Sequence, residues 1–314
     1  MAVETTTFSN NSADTWFRDI MFDCVLCPRA CHVNRLAGQT GYCGQTAELM
    51  AARASLHYWE EPCISGTSGS GTVFFSGCNL RCVFCQNHNI ALGKAGRVIA
   101  PEHLAEIFLQ LQEQGANNIN LVTPTHFLPQ IVIALEQAKQ QGLHLPIVYN
   151  TGSYESPEAL RHLEGLVDIY LPDLKYFSPE LSTAYSHAPD YFETACAAIS
   201  EMYRQVGDSV IDEDTGLMQH GMIVRHLLLP GQTKDSKKIL RYLHETYGDH
   251  IYISIMNQYT PLPQVADIEV LNRTVTPEEY DRVLRFAERI GIERGFRQEG
   301  TAASESFIPE FDER

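Results

Sequence analysis

Eight of the nine cysteines in this chain lie between residues 24 and 85, in two spacings suited to metal ligation. Cys78, Cys82 and Cys85 form C-x3-C-x2-C, with Phe84 directly before the third thiol. Thiolates are the usual ligands of iron–sulfur clusters, and a [4Fe–4S] cluster ordinarily takes four. Three in one tight loop would leave one iron open, which suits a cluster that must bind something else. A structural zinc site would close with a fourth ligand, and His88 is the alternative that could supply it. The spacing, and a preceding strand pattern, favour the open cluster and leave His88 as a loop or supporting residue.

Cys24, Cys27, Cys31 and Cys43 have the spacing C-x2-C-x3-C-x11-C. Four thiolates so close together suggest a closed tetrahedral site, with Gly38, Gly41 and Gly44 reading as knuckle turns. Zinc and an auxiliary [4Fe–4S] cluster both accept four cysteines, so spacing leaves both open. Cys63 reads as unligated. Cys196 stands alone within Asp190–Gly207, where Phe192, Ala195, Ile199, Tyr203 and Val206 recur at helical spacing, so it reads as a small core residue.

The elements that must hold these loops read as α/β. Nearly continuous apolar runs at Thr72–Ser76, Asn118–Thr123, Pro146–Tyr149, Val167–Leu171, Met222–Leu229 and Ile251–Ile255 suggest parallel strands buried on both faces. Helical patterns alternate with them. Thr276-Pro277-Glu278-Glu279 combines an N-cap, a helix-opening proline and a capping-box glutamate, and Gly291 marks the stop. Pro101-Glu102 and Ser156-Pro157 open helices in the same way, with Gly115 and Gly165 as stops. Six β/α units fit either an incomplete barrel or an open doubly wound sheet, and both place ligands at the C-terminal strand ends. The expected divisions are a flexible arm at 1–14, a cysteine-rich metal-binding module at 15–70, the barrel at 71–292 and a tail at 293–314.

Lys and Arg total 23 against 39 Asp and Glu, a formal charge of −16. This excludes a broad nucleic-acid-binding face. No apolar run reaches the ~20 residues that span a bilayer, and the polar start lacks a secretory apolar core. The expectation is a cytoplasmic protein with no membrane association, where clustered cysteines bind metal rather than form disulfides.

The cysteine loop after the first barrel strand resembles that of the radical S-adenosylmethionine (SAM) superfamily. Further stretches resemble an iron–sulfur branch related to pyruvate formate-lyase activating enzyme: Cys24–Cys31, Glu60–Gly66, Asn118–His126, Tyr149–Gly152, Asp168–Lys175, Arg225–Gly231 and Met256–Tyr259. The resemblance covers roughly Cys24 to Gly291. It implies a partial (β/α)6 TIM-like barrel, a [4Fe–4S] cluster on Cys78, Cys82 and Cys85, and SAM as cosubstrate. It also implies a low-potential electron donor of the flavodoxin or ferredoxin type. A glycyl-radical protein is one implied substrate class; a small molecule or another protein fits the motifs equally. The competing class is a non-catalytic iron–sulfur electron carrier or metal-binding module.

For SAM the strand ends offer Thr123, Asn150, Thr151, Asp173, Lys175 and Arg225. Asp173 and Lys175 resemble the Asp-x-Lys that activating enzymes place beside SAM, with a local surface ion pair as the alternative. Those enzymes carry Gly-Gly-Glu after strand two, where this chain has Val122-Thr123-Pro124-Thr125. The departure leaves the partner of the SAM amino group open, with Thr123 and backbone carbonyls as candidates. His126 either serves there or caps the next helix. Arg225 and His226 are adjacent in a strand and so face opposite ways; Arg225 is the choice for the lumen. Gln258 and Tyr259 either meet substrate or are structural.

Overall fold

The structure is a computed structural model and describes residues 12–298. The strands are β1 (Met50–His57), β2 (Ser70–Phe75), β3 (Arg97–Val98), β4 (Ile119–Val122) and β5 (Ile147–Thr151). β6 (Ile169–Pro172), β7 (Val210–Ile211), β8 (Met218–Leu227), β9 (Tyr252–Met256) and β10 (Gly295–Arg297) follow. The helices are α1 (Ser12–Phe22), α2 (Pro62–Ser65), α3 (His88–Ala91), α4 (Pro101–Glu113) and α5 (Leu128–Gln140). They continue with α6 (Pro157–Leu160), α7 (Pro179–Ser186), α8 (Tyr191–Val206), α9 (Thr233–Tyr247) and α10 (Pro277–Ile290).

The sheet runs β10-β9-β8-β6-β5-β4-β2-β1-β3, with β7 paired to β8. From β2 to β10 every neighbour along this path is parallel. Neighbours in space follow chain order without the reversal that defines a doubly wound sheet. The sheet is therefore an open arc of a (β/α) barrel, with β2, β4, β5, β6, β8 and β9 as its six units. These are the six strands the apolar runs mark. β8 starts earlier than its apolar run because Gln219 and His220 are exposed where the strand pairs with β7.

Helix α10 forms as its cap signals require. The Thr276 hydroxyl accepts the Glu279 N–H at 3.2 Å, and Glu279 accepts the Thr276 N–H at 3.0 Å. Val283, Phe286 and Ala287 carry its buried face. The helix expected after Ser156 is only one turn, followed by a 3-10 turn at Arg161–Leu163.

The cysteine-rich segment is not separate from the barrel. β1 adds to β2 in antiparallel register, so this segment supplies an edge of the sheet. Arg35, almost wholly buried, donates twice to the Thr46 carbonyl and once to the His126 carbonyl at 2.7 Å. α2 turns into the lumen, where Cys63 and Ile64 pack on Val148, Ile169, Leu171 and Ile223. Asn118 donates to the Ile64 carbonyl and Asn117 to that of Ser65. The stretch Glu60–Gly66 is thus the floor of the barrel, and Cys63 is part of its packing. At the other end, β10 adds three residues of the expected tail to the sheet beside β9. Residues 1–11 of the expected arm and 299–314 of the tail lie outside the described residues. Residues 12–14 open α1.

Candidate active site

β2 ends in a loop that must leave the sheet against the N-terminal segment. Gly77 permits this: it has φ +91°, and a Cβ there would stand 2.8 Å from the Cys43 carbonyl oxygen. The preceding Ser76 carbonyl accepts a hydrogen bond from His126 Nε2 at 2.6 Å. Burial, reinforced by Arg35, lowers the His126 pKa to about 3, so its imidazole is neutral. His126 is therefore a strut under the cysteine loop.

Cys78, Cys82 and Cys85 all line one cavity of about 240 Å³ at the C-terminal strand ends. Phe84 locks the loop from below, meeting Tyr176, Tyr185 and Tyr259 edge-on. The Val83 N–H donates to the Tyr185 carbonyl, and the Ser186 hydroxyl donates to Cys82 Sγ at 2.9 Å. Burial first, then the neighbouring thiols, pushes Cys78 up and Cys85 up to about 12. As bare thiols they keep their protons at neutral pH, and a metal centre must displace them. Among the described residues no three His, Cys, Asp or Glu side chains are already drawn into a metal-holding group. The fit to a cluster rests on the donor set: three sulfurs from one loop, all lining one cavity. His88 lies with Arg81, Cys82 and Cys85 in a smaller cavity.

Across the cavity, buried charges form a chain. Lys175 Nζ lies 2.6 Å from Asp173, and Arg225 donates to Asp173 at 3.1 Å, to Glu60 at 2.9 Å and to Asn150 at 2.5 Å. The other Glu60 oxygen accepts from Asn120 and Asn150. Burial alone would raise the Asp173 pKa, but Lys175 and Arg225 outweigh it, so the carboxyl lies below its ordinary range. The Asp173–Lys175 pair is set in the cavity wall, not on the open surface, with both side chains under a fifth exposed. Arg225 faces the cavity, while His226 turns to the helix layer and bonds the Leu174 carbonyl and the Ser236 hydroxyl. Glu60 was not among the expected site residues. It reaches the cavity from the barrel floor, and its signal was its place in the Glu60–Gly66 stretch.

A third group of residues surrounds Glu155, which is wholly buried. Its Oε1 accepts from the Thr151 hydroxyl at 2.5 Å, from Thr125 at 2.6 Å and from Tyr149 at 3.4 Å. Among the described residues its Oε2 has no hydrogen-bond partner. Burial raises this carboxyl to about 7 against the pull of those hydroxyls. Thr125 and Thr151 line the cavity in front of it. Thr123, also on the cavity, has φ +57°, a strained conformation for a β-branched residue. Gln258 reaches the cavity, whereas Tyr259 is buried and donates to the Leu271 carbonyl. No local pattern marked Glu155 beyond its position four residues after Thr151.

The N-terminal cysteines also lie near one another, though among the described residues they are not drawn into a metal-holding group. Cys43 interacts electrostatically with Cys24 and Cys31, and Cys27 with Cys43. A Cβ on Gly41 would sit 2.9 Å from Cys31 Sγ, so only glycine lets the turn close on that thiol. The set adjoins the first loop: Cys27 and Asn79 share a side-chain hydrogen bond, and Arg29 donates to the Asn79 carbonyl at 2.8 Å.

Residues 72–243, more than half of the chain, match the family model described as the radical SAM superfamily. An uncharacterized protein of Methanocaldococcus jannaschii is 27% identical over 286 residues, spanning 88% of this chain and 77% of that one. The pyruvate formate-lyase-activating enzyme of Clostridium pasteurianum is 29% identical over 121 residues, 36% of this chain and 48% of that enzyme. Among solved structures, a domain of pyruvate-formate lyase-activating enzyme from Bacteroides vulgatus aligns with 59% of this chain and 100% of its own at TM-score 0.42 and 14% identity. The structure described as anSMEcpe with bound AdoMet aligns with 68% of this chain and 57% of its own, at TM-score 0.47 and 13% identity.

Proposed function

This chain belongs to the radical SAM superfamily, and from that premise we propose that it cleaves SAM reductively at a [4Fe–4S] cluster held by Cys78, Cys82 and Cys85. The observation that carries the proposal is that these three thiols share one cavity with the charged and hydroxyl-bearing strand ends. Held by Cys78, Cys82 and Cys85, a cluster with SAM bound would supply the radical chemistry of the family, abstraction of a hydrogen atom from a substrate. The chain's own residues bind and orient. Lys175 and Arg225 provide positive charge for the SAM carboxylate, and Asp173 holds both in place. Thr123, Asn150 and Thr151 line the neighbouring strand ends for the remaining polar groups of SAM. An electron donor of the flavodoxin or ferredoxin type supplies the reducing equivalent.

The likeness to an activating enzyme over 121 residues makes a glycyl-radical protein the first substrate class to test, through loss of a Cα hydrogen. Cys24, Cys27, Cys31 and Cys43 form a second, closed site for zinc or an auxiliary [4Fe–4S] cluster. The reading of a non-catalytic electron carrier has less support, because a carrier has no use for polar groups at successive strand ends around an open cluster.

Anaerobic reconstitution followed by iron, sulfide and zinc analysis tests both sites. Roughly four irons plus one zinc per chain indicate zinc in the second site, and roughly eight irons an auxiliary cluster. With SAM and a strong reductant, the wild type should release 5′-deoxyadenosine and Cys82→Ala none. Absence of product from a protein with an intact cluster would defeat the proposal.

A further inference from the structure

We infer that Ser186 sets how readily a cluster on Cys78, Cys82 and Cys85 takes up its electron, and that Arg29 of the N-terminal cysteine segment holds it in place to do so. The assignment rests on the cluster reading above. It adds a route by which the second cysteine set acts on the first.

Hydroxyls on helix α7 meet different fates. Those of Ser182 and Thr183 turn back to the Pro179 carbonyl, at 3.2 and 2.6 Å, as such residues in helices commonly do. Ser186 is wholly buried and points instead at Cys82 Sγ, 2.9 Å away, with the Tyr176 hydroxyl 2.7 Å behind it. A cluster-bound sulfur carries no hydrogen, so the one between them belongs to Ser186, and Tyr176 is left to donate to Ser186 in turn. Cys78 and Cys85 meet backbone groups, of Leu80 and Arg81 and of Asn87. An electron from the flavodoxin- or ferredoxin-type donor puts more negative charge on the ligating sulfurs. A hydrogen bond to sulfur therefore favours the reduced form and raises the potential.

Ser186 is the last residue of α7, where the helix runs out of internal partners for its carbonyls. Arg29 supplies them. It donates to the Ser186 carbonyl at 3.1 Å, to that of His187 at 2.5 Å and, through Nε, to that of Asn79 at 2.8 Å. One guanidinium thus ties the end of α7 to the cysteine loop, flanked by the rings of Tyr42 and Tyr154 at 4.0 and 5.0 Å. Arg29 stands between Cys27 and Cys31, so fixing those two thiols fixes the arginine. Ser186 and Arg29 are positioning residues: one acts through Cys82, the other through Ser186.

The test is a redox titration of the anaerobically reconstituted full-length protein without SAM, followed by electron paramagnetic resonance. The signal lost in Cys82→Ala identifies the cluster concerned. At full iron and sulfide content, Ser186→Ala should make its reduction about ten-fold less favourable, the effect expected of a hydrogen bond to a charged group. That is a fall of about 59 mV in a one-electron midpoint. Tyr176→Phe and Arg29→Lys should lower the midpoint by less, and Arg29→Lys should add nothing once Ser186 is alanine. Lysine keeps the positive charge and loses the fork, so this comparison separates positioning from charge. Water admitted by mere damage would stabilise the added charge and raise the midpoint. A rise or no change in Ser186→Ala, or equal Arg29→Lys shifts with and without Ser186, would overturn the assignment. If Ser186→Ala does not hold its cluster, the sign of the shifts in Tyr176→Phe and Arg29→Lys decides. A wild type that takes up no iron–sulfur cluster would instead defeat the functional reading beneath it.

Discussion

Asp173 and Glu155 are two carboxyls beside one cavity, both withdrawn from solvent, and their pKa values move in opposite directions. Asp173 has Lys175 and Arg225 within hydrogen-bond distance, and their charges more than repay its desolvation. Glu155 has only neutral hydroxyls, so burial prevails and raises it to about 7. Burial sets the cost of a buried charge, and the formal charge of the neighbours decides whether it is met. One wall is therefore a permanent ion chain, and the other holds a carboxyl that titrates near neutrality.

The largest effect should come from breaking the ion chain at its centre. Arg225→Met leaves Asp173 and Glu60 buried without their shared cation, and should cost about 3–5 kcal/mol of folding stability in denaturant titrations. Next is the pH dependence of the other wall. Between the unfolded value near 4.5 and about 7, folded Glu155 keeps a proton that the unfolded chain has lost. Its contribution to stability is thus full below pH 4.5 and falls away as pH rises to about 7. A Glu155→Gln variant lacks this loss, so its stability relative to wild type should rise by about 3 kcal/mol across that window. Only the difference between the two proteins is diagnostic, because His126 and His226, with pKa values lowered by burial, titrate with the opposite sign in both.

Lys175→Met should cost less than Arg225→Met, about 1–3 kcal/mol, because Asp173 keeps its bond to Arg225. Equal losses from the two variants would mean that the chain does not act through Arg225. Smallest, and distant from both walls, Thr276→Ala removes the α10 cap and should cost about 1 kcal/mol with no change in SAM affinity.

Much of the wall with charges was legible in the sequence, because its members follow strands whose buried apolar runs are conspicuous. Asp173-Leu174-Lys175 sits directly after β6, and Arg225 lies within β8 where alternation assigns its face. Cys78, Cys82 and Cys85 are contiguous and carry their own spacing. What stayed hidden is long-range or chemically silent. Glu60 meets Arg225 across 165 residues, a pairing no local pattern encodes. Glu155 differs from any surface glutamate only in what surrounds it, and that depends on Thr125 arriving from the loop after β4. The antiparallel β1 was missed because its mixed, half-exposed residues lack the continuous apolar run of a strand buried on both faces.

The floor segment has a consequence for how the site comes into being. Glu60 and Glu61 leave the ribosome well before the strands that will enclose them, and Arg225 follows 165 residues after Glu60. Until β8 is made, Glu60 lacks the cation it meets inside the barrel, while the neighbouring Glu61 carboxyl is raised by burial even with Arg225 close by. The pocket is thus completed late and from both ends of the chain, with the emergence of one arginine as the step that lets its base settle.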